Sequence, residues 1–182
     1  MPETDESGLP RLRLEDLASG FPHIPSVCGA SLAQAAALCL EGERHASGVR
    51  LIVEGTVQGV FLLEWSLDVT EAMRRFWADP DETTEQGAYA IAILLMRALG
   101  GYTVVERACR PTGIDWWLGH ADNLYQATAR LEVSGIREGD PRAINSRVKA
   151  KAKQTERSVT SGRISFVVVV EFGEPTARVV RL

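Results

Sequence analysis

Apolar and polar positions along this chain switch between a helical and a strand period, and the switches mark out its elements. Ser31-Leu-Ala-Gln-Ala-Ala-Ala-Leu-Cys-Leu-Glu41 predicts a helix, with Ser31 available as cap and Gly42 as stop. Residues 49–55 and 59–69 are rich in β-branched and apolar side chains, and the polar break between them predicts a β-hairpin. A short helix over Thr70–Trp77 is followed by a polar break. Glu85–Leu99 is apolar on nearly every side, has Thr83 or Thr84 as cap and ends at Gly100-Gly101, the pattern of a buried helix. Tyr102–Cys109, Ile114–Leu118 and Ala127–Ser134 predict three short strands in a meander, with a turn at Pro111-Thr-Gly113. Asp140 and Pro141 open an amphipathic helix that runs to Gln154. Ile164–Phe172 is continuously apolar, as a central strand covered on both faces would be.

The order helix, strand, strand, strand, helix, strand points to an α/β (α+β) fold. At 182 residues and 45% hydrophobic the chain can bury a substantial core. The expected organisation is an N-terminal extension over 1–47, with four prolines and one short helix, and a single α/β domain over 48–182. That domain divides into the hairpin at 49–69 and a core at 83–173.

Charge and cysteine usage narrow the class. A formal net charge of −4 and a pI near 5.5 argue against non-specific coating of nucleic acid, without excluding a nuclease. Cys28, Cys39 and Cys109 are widely spaced with no Cys-x-x-Cys, so neither a disulfide framework nor a structural zinc site is indicated. The acidic N-terminus is unlike a secretory signal, and no apolar run approaches the roughly 20 residues that span a bilayer. A cytoplasmic protein without membrane contact is expected. No phosphate-binding loop or Gly-x-Gly-x-x-Gly occurs, which leaves a nucleotide cofactor without support. None of the three histidines sits in a ligand pattern, and His120 reads as a loop residue beyond the second strand.

The chemistry concentrates in two acids. Asp115 and Glu132 each interrupt an apolar stretch, and a carboxylate on a buried strand costs free energy unless something binds it. A strand, a loop and half of the next strand separate them, so the two could share one divalent cation. Glu85 at the start of the preceding helix, Gly113-Ile-Asp115 and Glu132-Val-Ser134, taken with the order of elements over roughly 83–173, resemble the PD-(D/E)xK nuclease superfamily. The resemblance implies a restriction-endonuclease-like core in which Asp115 and Glu132 hold magnesium or manganese and Glu85 supports the metal shell. The activity it implies is hydrolysis of phosphodiester bonds in nucleic acid by a metal-activated water.

The family's Glu-x-Lys is here Glu132-Val133-Ser134, and serine has no charge with which to stabilise a developing phosphorane. In some family members the lysine lies on the following helix, where this chain has Arg147, Lys149, Lys151 and Lys153. At about 100° per residue, Ile144, Val148 and Ala152 form the stripe facing the sheet. Lys151 and Lys149 lie on its two edges and are the better substitutes. Against this stands a plainer account: the lysines are a solvated face, Glu85 is a favourable charge at a helix start, and Glu132 pairs with Arg130 or the helix lysines. Of the adjacent Trp116 and Trp117 only one can face the core, and the other needs a partner. Two functions follow, a magnesium-dependent nuclease, or a non-catalytic relative acting as an interaction or scaffolding subunit of a multi-protein assembly such as a phage-defence complex. A protein partner or a second copy of the chain suits either.

Overall fold

A computed structural model describes residues 8–109, 113–123, 125–156 and 163–182. In chain order the elements are β1 (Arg11–Arg13), α1 (Asp16–Ser19), α2 (Ser26–Gly42), β2 (Val49–Gly55), β3 (Gly59–Glu64), α3 (Glu71–Phe76) and α4 (Pro80–Gly100), followed by β4 (Tyr102–Arg107), β5 (Trp116–His120), β6 (Ala129–Ile136), α5 (Pro141–Glu156), β7 (Ile164–Glu171) and β8 (Thr176–Arg181). The eight strands make one mixed sheet in the order β1-β3-β2-β8-β7-β6-β5-β4. Helices α2 and α4 cover one face and α5 the other. Among the described residues no helix is long and apolar enough to cross a membrane.

The body follows the expected order. β4, β5 and β6 form an antiparallel meander, and α5 carries the chain over to β7, which lies parallel to β6. β7 is buried along nearly its whole length because Phe166, Val168 and Val170 face the large core while Val167 and Val169 face Ile144 of α5. The hairpin β2–β3 is antiparallel, with Ile52 opposite Val60. Residues 8–47 are woven into the same core: β1 pairs with β3, and Leu12, Leu14 and Leu17 are buried beside α2 and α4.

Several boundaries differ from the sequence reading, each for a local reason. α2 begins at Ser26 rather than at a Ser31 cap, since after Pro25 nothing interrupts the helix. α4 begins at Pro80, and its cap is Asp79 rather than Thr83 or Thr84. The Asp79 Oδ1 accepts from the N–H groups of Asp81 and Glu82 at 2.9 and 3.1 Å, and proline takes the first position, where no N–H is needed. Thr83 and Thr84 fall inside the helix, at the junction of its first and second turns, and their hydroxyls donate to the Asp79 and Pro80 carbonyls. Glu85 is therefore carried into the second turn, one turn before Tyr89. β5 runs on to His120, so that residue ends a strand rather than lying in a loop, and its ring stacks 4.6 Å from that of Tyr102. β1, α1 and β8 are additional elements, and β8 joins the hairpin to the body by pairing with both β2 and β7.

One glycine sets the distance between the start of α4 and β6. A Cβ on Gly135 would lie 2.4 Å from the carbonyl oxygen of Thr84, a backbone atom held in the helix. Gly135→Ala is expected to cost about 1–3 kcal/mol through overpacking, seen as a melting temperature lowered by about 2–4 °C per kcal/mol.

Candidate carboxylate cleft

Glu85, Asp115 and Glu132 come from three elements that meet at one end of the sheet. Asp115 sits just before β5, yet its backbone is already tied to both neighbours: its N–H donates to the Leu131 carbonyl at 2.9 Å and its carbonyl accepts from Ala108 at 2.8 Å. Its side chain is fixed as well, with Oδ2 accepting from the Val133 N–H at 2.8 Å and Oδ1 lying 2.9 Å from the Tyr89 hydroxyl. The same hydroxyl is 2.6 Å from Glu85 Oε1. On β6 the alternation turns Leu131 and Val133 into the large core and Glu132 and Ser134 towards α5.

Glu132 is 2% exposed. Its Oε1 accepts from Lys151 Nζ at 2.5 Å and from Gln154 Nε2 at 3.3 Å. Two residues on, Ser134 Oγ lies 3.1 Å from Arg147 Nη1. Thus α5 lays two cations along β6, one on the acid and one on the serine. A cleft of about 470 Å³ opens here, with Glu85, Tyr89, Asp115, Ser134, Arg147 and Lys151 in its wall.

Electrostatics separates this cluster from the other buried acids. Burial pushes the Glu132 carboxyl up to about 7, and the Lys151 hydrogen bond offsets this only in part while the Asp115 charge and a hydrogen bond between the two carboxyls add to it. Asp115 and Glu132 therefore lie close enough to feel each other's charge. Burial, then the hydrogen bond to Glu85 and the two nearby negative charges, hold the Tyr89 hydroxyl far above its ordinary value, so it keeps its proton. Glu171, equally buried, accepts from the N–H groups of Gly139, Gly173 and Glu174, and so serves the turn after β7. Among the described residues the bonds to Glu132 come from side chains, those of Lys151 and Gln154.

No protein-family model, curated protein or solved structure matches the chain.

Two of the expected site residues stand differently from the sequence reading. Lys149 is exposed and does not line the cleft, whereas Arg147 does. The reason is helical spacing: Arg147 lies one turn before Lys151 on the same edge of α5, whereas Lys149 is on the other. Glu85 reaches Asp115 through the Tyr89 hydroxyl, and among the described residues no three His, Cys, Asp or Glu side chains lie close enough to surround one ion. The sequence reading also passed over Tyr89, although it stands four residues after Glu85 on the same face of α4. The tryptophan pair divides as expected. Trp116 is buried edge-on against Tyr89 at 5.7 Å, while Trp117 lies on the α5 face under the guanidinium groups of Arg130 and Arg163, at 5.5 and 5.4 Å.

The raised Glu132 carboxyl makes stability depend on pH in a defined direction. Between the ordinary carboxylate value of 4.5 and about 7 the folded chain holds a proton that the unfolded chain has released, so stability falls as pH rises through that window. Glu132→Gln is expected to flatten this slope by at least about 3 °C in melting temperature between pH 5 and pH 7.5, the change about 1 kcal/mol makes in a chain of this size. Thermal melts at the two pH values check it, and an unchanged slope would remove Glu132 as its source.

Proposed function

We propose that the chain is a divalent-cation-dependent phosphodiesterase acting on nucleic acid, of the PD-(D/E)xK type, with Asp115 and Glu132 as the metal-holding pair. One observation carries the reading. The Asp115 carboxyl lines a cleft beside a lysine and an arginine that the next helix supplies, and that lysine bonds the buried Glu132 carboxyl behind it. Carboxylate oxygens suit the hard cations magnesium and manganese. The Tyr89 hydroxyl, within 3 Å of one oxygen of Glu85 and one of Asp115, ties the helix acid to the strand acid.

Asp115 and Glu132 would hold the ion, which supplies a Lewis acid and a water of lowered pKa. The rest falls to the chain's own groups. With a cation on Glu132, Lys151 would be free to reach the scissile phosphate, and Arg147 would contact the phosphate from one turn earlier. The charge absent at Ser134 is in this way restored from α5. Tyr89 holds Glu85 against Asp115 and keeps the cleft's acidic wall in place.

The test is calorimetric titration of manganese into the wild type, followed by cleavage assays on single- and double-stranded DNA and RNA. Binding with metal-dependent cleavage supports the nuclease. The ion pair already formed between Lys151 and Glu132 favours the second reading, a non-catalytic relative that keeps the fold for a protein partner. Neither binding nor cleavage would leave that reading.

A further inference from the structure

The sheet is covered unevenly on the face that carries α5. Val167 and Val169 of β7 meet Ile144 there, and the strand register carries the same face on through β8, β2, β3 and β1. Val169 pairs with Arg178, Arg178 with Glu54, Ile52 with Val60, and Leu62 with Arg11, and directly paired residues share a face. The alternate positions Leu12, Leu51, Val53, Phe61 and Leu63 all lie in the large core on the other side. The apolar contact of α5 ends at Val180 of β8. Beyond it nothing among the described residues closes over Ile52 and Val60, which are 49% and 37% exposed.

A hairpin face that meets only water places polar residues outward. This one places Ile52, Val60 and Leu62 outward in the middle of the β2–β3 hairpin. Around them stand cations, Arg11 and Arg13 from β1, Arg50 from β2 and Arg178 from β8. Two acids on the same face answer part of this charge: Glu64 lies 3.5 and 3.6 Å from Arg11 and Arg13, and Glu54 lies 2.7 Å from Arg178. Arg50 is exposed and has no ion-pair partner among the described residues. The edge of α5 with Arg147 and Lys151 lies over β6, so the other edge, with Lys149, borders this face. Lys149 is likewise exposed and without an ion pair among the described residues. A chain of net charge −4 thus gathers surplus positive charge around an aliphatic patch.

We propose that this half-face docks an amphipathic helix of a partner protein, with an aliphatic stripe on Ile52, Val60 and Leu62 and acidic residues along its flanks. The space suits one helix. Strands about 4.8 Å apart put β8 and β1 about 14 Å from each other, and a helix is about 10 Å across, so it would lie in the lane beside α5. α5 itself shows the mode of packing, with Ile144 and Val148 on the sheet and cations at the edges. Nucleic acid fits less well: the outward positions hold no aromatic ring on which a base would stack, and Glu54 and Glu64 would face its phosphates. A second copy placed face to face would set arginine against arginine. The surface lies across α5 from the carboxylate cleft, so the proposal stands whichever function that cleft has.

The experiment is fluorescence anisotropy of two labelled peptides titrated with the full chain. Each is about 20 residues long so that a helix can form, with leucine along one stripe and either glutamate or lysine on both flanks. The glutamate peptide is expected to bind at least about tenfold more tightly than the lysine peptide at low salt, and to weaken as salt is added. Ile52→Ser is expected to weaken it at least about threefold through lost apolar contact. Arg50→Glu is expected to narrow the preference between the two peptides at least about tenfold. Both positions are exposed, thermal melts verify that the variants are folded, and Arg50→Glu keeps the test open if Ile52→Ser is not. No binding of the glutamate peptide, equal affinity for both peptides, or variants that bind like the wild type would overturn the proposal. So would a DNA oligonucleotide that displaces the labelled peptide at lower concentration than the unlabelled peptide does. A dimer in sedimentation velocity that Ile52→Ser dissociates would overturn it too, by giving the face to a second copy.

Discussion

Asp115→Asn is expected to abolish manganese binding in a calorimetric titration and to lower metal-dependent cleavage by at least a hundredfold, with the fold intact. The isosteric amide can still accept from the Val133 N–H, the bond that Asp115 Oδ2 now takes at 2.8 Å, so β6 keeps its partner. What it loses is the negative charge. Losing even an outer-shell partner of a metal ligand typically costs about 10–100-fold, and a direct ligand should cost no less. Asp115→Ala would confuse the result, because it also strands the Val133 N–H at about 1–3 kcal/mol. Retained manganese affinity in the asparagine variant would remove Asp115 from the metal site.

Lys151→Met should separate catalysis from metal binding. Lys151 competes for the Glu132 oxygen that a cation needs, so its removal is expected to leave manganese affinity equal or tighter while cleavage falls about 10²–10³-fold, the usual effect of losing one group that stabilises developing charge. Stability should respond too. Removing one partner of a buried ion pair costs up to about 3–5 kcal/mol, but Glu132 already titrates near 7 and can escape by taking a proton. The destabilisation should therefore be small at pH 5.5 and grow towards pH 8.5, because only the ionised carboxylate misses the lysine. A loss equal at both pH values would mean that Lys151 acts through packing of its stem alone.

What could be read in advance followed the strength of local signals. The apolar run of β7 and the buried face of α4 leave few alternatives, and both appear where expected. Asp115 and Glu132 stood out because a carboxylate in an apolar strand has few structural excuses. The rest depended on tertiary partners. β8 carries Arg178 and Arg181 among its apolar residues and becomes a strand because β2 and β7 flank it. That Arg147 lines the cleft and Lys149 does not was not legible, because the stripe on α5 identifies its two edges but not which of them lies over Glu132. Glu171 shows the converse, an acid as buried as Glu132 whose three backbone donors arise only once the turn is built.

The two faces of the sheet are held with very different strength. On one side α2 and α4 are locked into a continuous apolar mass. On the other, α5 rests mainly on Ile144 against Val167 and Val169, with Val148 and Ile136 at the edge. Opening free energies differ locally in just this way, so amide exchange should reach α5 long before α4. The acids are thus mounted on the frame, whereas Arg147 and Lys151 ride on a lightly fastened arm that can lift from a bound strand without disturbing the frame beneath it.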